Sequence, residues 1–332
     1  MSSSTTTATQ TAPSSGTLRL RPDQQWQEDL RRDGWAVVKG VIPRERALAN
    51  IDKCYEYIES FGLGFDRNDR STWKPENMPH FYKGGLFVNY GSGHEQFIWD
   101  IKQDPAVVGP FQALWGTDEL LASFDGFNLS LPFPDRPQED FTPWPHVDQS
   151  PLVKGLHCVQ GIMNISENGP DDGGLMVLKG SSALYTQLFE AFEDKKPAEG
   201  WNKHDRHDHT PEQIQWLMDH GCEYHKVTAE PGDLLLWDSR TVHYGAAPSS
   251  DNPRFASYVC YKPAMYATPE VLAKRKEAWD TKTETTHDPI TFNMNARRPP
   301  DGHPTVDHPK VTQLQEPQLT ELGKKLAGVV AW

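Results

Sequence analysis

A chain of 332 residues with 33 Lys+Arg against 46 Asp+Glu carries a formal charge of −13. That sign repels phosphate backbones and anionic lipid at any distance salt leaves unscreened, so nucleic acid and membrane surfaces are poor partners. Mean hydropathy is low, at −0.67, but 11 Trp, 14 Phe and 10 Tyr exclude a wholly disordered chain and predict a polar surface over an aromatic core.

In chain order, residues 1–17 are almost wholly Ser, Thr, Ala, Gln, Pro and Gly. Such a stretch has nothing to bury against its ordering entropy, and a disordered tail is expected. Residues 18–332 read as a single domain, with a core over about 25–263 and a wrapping segment over 264–332. A helix over about 23–32 stops at Gly34, and a β-rich run over 35–42 ends at Pro43. Pro43 opens a second helix, in which Leu48, Ile51, Tyr55 and Ile58 recur at steps of three and four before Gly62. Residues 66–93 form a long, aromatic-rich connection of the binding-loop kind. Asp104-Pro105 caps a helix to about Trp115, 120–131 reads as strand, and five prolines lie between Pro132 and Pro145. Apolar runs at about 155–165, 174–178, 224–228, 233–237 and 255–262, split by turn residues, predict a mainly β fold with flanking helices. Between them 183–221 reads as mostly helical, with a capping box at Thr210-Pro-Glu-Gln213. Further helices are expected over 269–281 and 319–326.

Cys54, Cys158, Cys222 and Cys260 are scattered without a C-x-x-C pair, so neither a zinc knuckle nor a disulfide framework is indicated. A reducing compartment fits, and no secretory signal, apolar span or peroxisomal address is apparent; the expected location is the cytoplasm.

The chemistry sits in Trp144-Pro-His146-Val-Asp148 and, far downstream, in Gly232-Asp-Leu-Leu-Leu-Trp-Asp-Ser-Arg-Thr-Val-His243, followed by Arg254. In an extended segment residues i and i+2 share a face, so His146 and Asp148 can offer a nitrogen and an oxygen to one point. With His243 they make two imidazoles and a carboxylate on one side of a metal, leaving positions open for a keto acid and dioxygen on Fe(II). Arg254, 11 residues past His243, returns on a neighbouring strand as a charged fork suited to a dicarboxylate. Alternation puts Arg254, Ala256 and Tyr258 on one face, and Gln160, Ile162 and Asn164 on one face of an earlier strand, making Gln160 an inward donor. Phe127, Leu129 and Leu131 alternate as a core face.

Other groupings point elsewhere. His204-Asp-Arg-His207-Asp-His209 is the densest His/Asp cluster, and its polar setting reads as a solvated loop. His94-Glu95 lacks the second histidine of a zincin, since position 98 is Ile. His157 reads as packed or at a pocket edge. Candidate substrate contacts are Tyr82, Asn89, Tyr90, Asn128 and Trp144.

The sequence resembles the phytanoyl-CoA dioxygenase-like family of iron(II)- and 2-oxoglutarate-dependent oxygenases over about 25–263. The stretches that carry this are Asp33-Gly-Trp-Ala-Val-Val-Lys-Gly-Val-Ile-Pro43, His146-Val-Asp148, Glu167-Asn-Gly169, Gly173-Gly-Leu-Met-Val-Leu-Lys-Gly-Ser181, Pro231-Gly-Asp-Leu234, His243 and Arg254. It differs at Ser182, where relatives often carry His, and at Gly245, where some carry a hydroxyl residue. The resemblance implies a double-stranded β-helix (jelly roll, cupin-like). It also implies Fe(II) on His146, Asp148 and His243, 2-oxoglutarate on Arg254 with Gln160 facing it, and O2 as oxidant. The expected activity is hydroxylation, desaturation or cyclisation of a small or medium organic metabolite, with succinate and CO2 released. The alternatives are a cupin-like metal-binding protein without activity and an iron oxidase that needs no keto acid. The oligomeric state stays open, a homodimer being one option.

Overall fold

The computed structural model describes residues 25–133, 142–294, 299–306 and 315–332. The expected tail over 1–17 and much of the proline-rich stretch after Pro132 lie outside them. Short strands with turn punctuation assemble into two antiparallel sheets. The larger contains β1 (Trp35–Val38), β10 (Leu234–Asp238), β6 (Val159–Asn164), β12 (Arg254–Pro263), β4 (Phe127–Ser130) and β2 (Leu86–Phe87) in that order, with β3 (Leu120–Ala122) on β12. The smaller runs β8 (His207–Asp208), β5 (His146–Val147), β11 (His243–Ala246), β7 (Gly174–Lys179) and β9 (Glu223–Lys226).

Side-chain alternation explains the layering. Ile162, Leu235, Trp237 and Ala256 of the larger sheet meet Leu175 and Val177 of the smaller one in an apolar layer between the sheets. On the far side of the larger sheet, Phe127, Leu129, Phe255 and Val259 pack against helices. These are α2 (Arg44–Glu59), α3 (Gln96–Lys102), α4 (Pro105–Trp115), α7 (Pro269–Asp280) and α8 (Glu321–Ala327). Val147, Leu178 and Val242 face outward from the smaller sheet onto α5 (Ser181–Ala191) and α6 (Pro211–Asp219). α1 (Gln25–Asp33) leads into β1. Two facing sheets with helices outside make the jelly roll, mainly β with flanking helices, that the strand pattern predicts.

The helix boundaries follow local chemistry. Asp104 accepts from Ala106 N at 2.7 Å, ahead of Pro105, and α4 ends at Gly116 in the left-handed region. Thr210 and Gln213 form the capping box of α6. Three expectations need correction. On α2 the predicted stripe holds at Ile58, which is fully buried, and at Ile51 and Tyr55, which pack half-buried on the core, but the buried face is shifted to include Ala47, Cys54 and Tyr57; Tyr57 turns inward to contact Phe61, Phe87, Phe97 and Phe127. The strand expected over 120–131 is broken, because Ser123 and Asp125 turn aside to bind Lys102 Nζ, buried to 0% exposure, at 2.9 Å each for Ser123 O and Asp125 Oδ1. Segment 183–221 is α-helical only in α5 and α6; between them lie a short 3-10 turn (Glu193–Lys195) and β8, paired with β5.

Candidate functional site

Strand pairing builds the site. β5 and β11 run antiparallel with His146 directly opposite His243, so two imidazoles 97 sequence positions apart come within 4.3 Å, centroid to centroid. Asp148 follows β5 and is tied by its own N–H to Ser239 O at 3.0 Å, in the turn that precedes β11. Its carboxylate then reaches both rings: Oδ1 lies 3.5 Å from His146 Nε2 and Oδ2 lies 3.2 Å from His243 Nε2. His146 Nδ1 is 3.0 Å from Trp144 O, and His243 Nδ1 is 2.9 Å from Thr241 O. With Nδ1 donating to a carbonyl, each Nε2 keeps a lone pair turned toward the carboxylate. Burial, reinforced by the neighbouring His243, pulls the His146 pKa down to about 3, so its ring is neutral at pH 7. Burial opposes ionisation of Asp148, but the electrostatic influence of the surrounding imidazoles outweighs it and holds its pKa well below the usual range.

The cluster opens on a cavity of about 530 Å³. Trp144 stacks on His146 at 4.3 Å and 10°, with Lys83 Nζ 3.6 Å from the indole and Arg206 Cζ 5.1 Å from it. Trp237 packs at 5.3 Å from the His243 ring. Gln160 Nε2 donates to Asp148 Oδ2 at 2.9 Å, so the inward amide expected from strand alternation is turned onto the carboxylate. Arg254 is 7% exposed; Nη1 donates to Asn128 Oδ1 at 2.8 Å, while Nε has no partner among the described residues. Burial lowers the Arg254 pKa and Tyr258 opposes that shift. Gly174 gives this side chain its room: a Cβ there would stand 3.1 Å from Arg254 Nε, and its φ of +145° already favours glycine.

Of the residues singled out in the sequence, His146, Asp148, His243, Gln160, Arg254, Asn128 and Trp144 all line this cavity. Tyr82, Asn89 and Tyr90 do not. Asn89 and Tyr90 are buried behind its wall, with Tyr90 Oη 2.6 Å from Thr305 Oγ1, and Tyr82 packs on His80. The long loop therefore contributes Lys83, Gly84, Leu86 and Val88 instead. The His204–His209 segment is not a purely solvated loop. His204, Asp205 and Arg206 edge the cavity, and buried His209 bonds to Gln213 Oε1 at 3.2 Å. Sequence reasoning missed Asp125, Thr285, Thr286, His287 and Asn293 on the wall, which no motif marks.

A second group, His157, Asp205 and Asp288, also brings three donor atoms together. There Lys262 Nζ lies 2.8 Å from Asp288 Oδ2 and His157 Nε2 lies 3.1 Å from the same oxygen.

Two imidazoles whose Nδ1 atoms are taken by backbone carbonyls, and one carboxylate held ionised, suit a divalent transition metal with vacant positions. The buried, partly unsatisfied guanidinium across the cavity suits the far carboxylate of a keto acid. This donor set on a jelly roll defines an iron(II)- and 2-oxoglutarate-dependent oxygenase. The chain belongs to the phytanoyl-CoA dioxygenase (PhyH) family, whose model matches residues 30–256. It is similar to Ava biosynthesis cluster protein O of Aspergillus versicolor, 39% identical over 270 residues, covering 80% of this chain and 85% of that one. Among solved structures it is similar to the α-ketoglutarate-dependent carbocyclase SnoK from nogalamycin biosynthesis (17% identity, 75% and 87% of the two chains, TM-score 0.47). EctD from S. alaskensis, solved with 2-oxoglutarate and 5-hydroxyectoine, is also similar (14% identity, 74% and 77%, TM-score 0.48).

Proposed function

We propose that His146, Asp148 and His243 hold the iron, that Arg254 pairs with the distal carboxylate of 2-oxoglutarate, and that the cavity takes a small or medium organic metabolite for oxidation. The observation that carries this reading is the convergence of two inward Nε2 lone pairs and a carboxylate on a cavity that also holds a buried guanidinium. Bound iron, with 2-oxoglutarate and dioxygen, supplies the oxidising power to take a hydrogen atom from substrate, releasing succinate and carbon dioxide.

The chain's own residues do the rest. The carbonyls of Trp144 and Thr241 hold the two imidazole tautomers, and Gln160 fixes Asp148 through its Oδ2. Gln160 thereby acts on the cosubstrate's surroundings through the carboxylate. Asn128 orients the Arg254 fork, and Leu86, Val88 and Ile162 keep the cavity wall apolar and poor in water. Hydroxylation is the default outcome, with desaturation or ring closure as other fates of the same substrate radical. The relative's place in a biosynthesis cluster supports a role in secondary metabolism.

The reading takes residues 18–332 as one catalytic unit in the cytoplasm, with a small molecule as its partner. Among the described residues no helix is long and apolar enough to cross a membrane. Anaerobic addition of Fe(II) and 2-oxoglutarate tests the assignment: a weak visible charge-transfer band is expected, and its absence, with no oxygen-dependent succinate formation, would refute the oxygenase reading.

A further inference from the structure

Close to the buried Arg254 the fold places a second cation. Lys226 ends β9, opposite Met176 of β7. Its Nζ donates to Asn168 Oδ1 at 2.9 Å, Val227 O at 3.0 Å and Gly169 O at 3.3 Å. Asn168, 3% exposed, is itself held firmly: its N–H and carbonyl pair with Ala229 at 3.1 and 2.9 Å, and its Nδ2 donates to Gly173 O at 2.5 Å. A Cβ at Gly174 would stand 3.0 Å from Asn168 Nδ2 and 3.1 Å from both Asn168 Oδ1 and Arg254 Nε, so the lysine's acceptor and the guanidinium share the space that this glycine leaves open.

The balance of charge here is one-sided. Lys226 bonds to neutral oxygens, and Arg254 donates to the neutral Asn128; among the described residues neither is paired with a carboxylate. Asp172 acts on Lys226 from the turn before β7, but its oxygens are already engaged: Oδ2 takes Gly169 N at 2.7 Å, and Oδ1 takes Ser250 Oγ at 2.6 Å and Asn252 Nδ2 at 3.0 Å. Two like charges brought together away from water are costly until an anion joins them. Arg254 from β12 and Asp172 are the charged groups that act on Lys226, while Met176 opposite is neutral. Burial first, and Arg254 after it, bring the lysine's pKa down to about 8.

We infer that Lys226 is a positioning residue for the cosubstrate, a second positive charge that acts through Arg254 to strengthen the hold on the far carboxylate of 2-oxoglutarate. The inference rests on the reading of Arg254 as that carboxylate's partner. Lys226 does not line the cavity, so it acts by charge rather than by contact, with Asn168 fixing its ammonium. An anion on Arg254 relieves the repulsion between the two cations, so cosubstrate binding and protonation of Lys226 favour each other. Below about pH 8 the lysine is charged and contributes; as pH rises past that value its charge, and its share of the affinity, is lost.

The test compares 2-oxoglutarate with 2-oxopentanoate, which has the same keto-acid end and carbon count but a methyl group in place of the far carboxylate. Each is titrated calorimetrically into the full chain loaded with Ni(II), which binds keto acids without turnover. At pH 7 Lys226→Met should reduce the advantage of 2-oxoglutarate over 2-oxopentanoate about three- to tenfold, the effect of a partly screened charge one residue removed, and Lys226→Arg should retain it. Between pH 7 and 9 the wild-type advantage should shrink about two- to fivefold, while both variants stay flat. A full wild-type advantage in the Met variant overturns the inference, as does an equal loss of affinity for both keto acids, which marks a structural role. If the Met variant does not fold, the pH series decides, and a wild-type advantage that is flat from pH 7 to 9 overturns the inference. Wild type that binds both keto acids equally removes the Arg254 assignment and the inference with it. Wild type that takes up neither Ni(II) nor keto acid removes the oxygenase reading itself.

Discussion

Two clusters in this molecule have nearly the same composition and opposite characters. His146, Asp148 and His243 on one hand, and His157, Asp205 and Asp288 on the other, each bring three potential donor atoms within 4.8 Å of one another. In the second, the Lys262 ammonium already sits on Asp288, holding that carboxyl well below its usual range against the cost of burial. Among the described residues the first has no Lys or Arg paired with its carboxylate, and backbone carbonyls turn its two lone pairs toward that carboxylate. Nearness of donors is therefore a poor sign of a metal centre. What separates the two is whether the fold supplies the positive charge itself or leaves it to a visitor.

The sharpest way to break this contrast is metal uptake. Asp148→Ala should weaken Co(II) binding more than about a hundredfold, while Asp288→Asn keeps one Co(II) per chain, read by equilibrium dialysis. Equal loss in both variants would erase the distinction. Next comes the internal pair: Lys262→Met leaves Asp288 buried without its cation and should cost about 3–5 kcal/mol in denaturant unfolding. Across the cavity, Arg254→Met should raise the KM for 2-oxoglutarate about a hundredfold, the scale of a lost charge-assisted pair, and Arg254→Lys should recover part of it. Gln160→Leu should weaken Co(II) binding about tenfold by freeing Asp148. A change confined to 2-oxoglutarate affinity would instead make Gln160 a direct cosubstrate contact.

The smallest effect is one of slope. Burial pushes the Glu284 carboxyl up to about 7 from an ordinary 4.5, so between those pH values the folded chain keeps a proton that the unfolded chain has released. Stability from this group is present below about pH 4.5 and is lost as pH rises to about 7. Glu284→Gln, which has no proton to lose, should therefore keep a constant stability difference from wild type below about pH 4.5 and gain on it steadily as pH rises to about 7, measured by urea midpoints.

Much of the fold and the centre of the site are legible in the sequence because they rest on local rules. Alternation placed Arg254 and Tyr258 on the cavity side of β12 and Phe255 in the core, and the two-residue spacing put His146 and Asp148 together. The metal-site expectation needed only one long-range pairing, β5 with β11. What stayed hidden depends on tertiary partners. Nothing near Ser123 and Asp125 announces that Lys102 will draw them out of a strand. Nothing around Thr286-His287 tells that Lys262 and Ser92 will pin that segment over a cavity. Tyr90 looked like a binding-loop aromatic because its hydroxyl partner, Thr305, lies 215 positions away.

One guanidinium joins regions that chain order keeps far apart. Arg275, 1% exposed, donates to the carbonyls of Pro289, Ala122, Leu326 and Ala327 at 2.8–3.2 Å. Removing residues 326–332 would strip two acceptors from a cation that has no water to replace them. The disturbance would pass through Pro289 to Thr285, Thr286 and His287, which line the cavity. A cut ahead of Leu326 would thus be expected to alter the shape of the cavity, although none of residues 315–332 lines it.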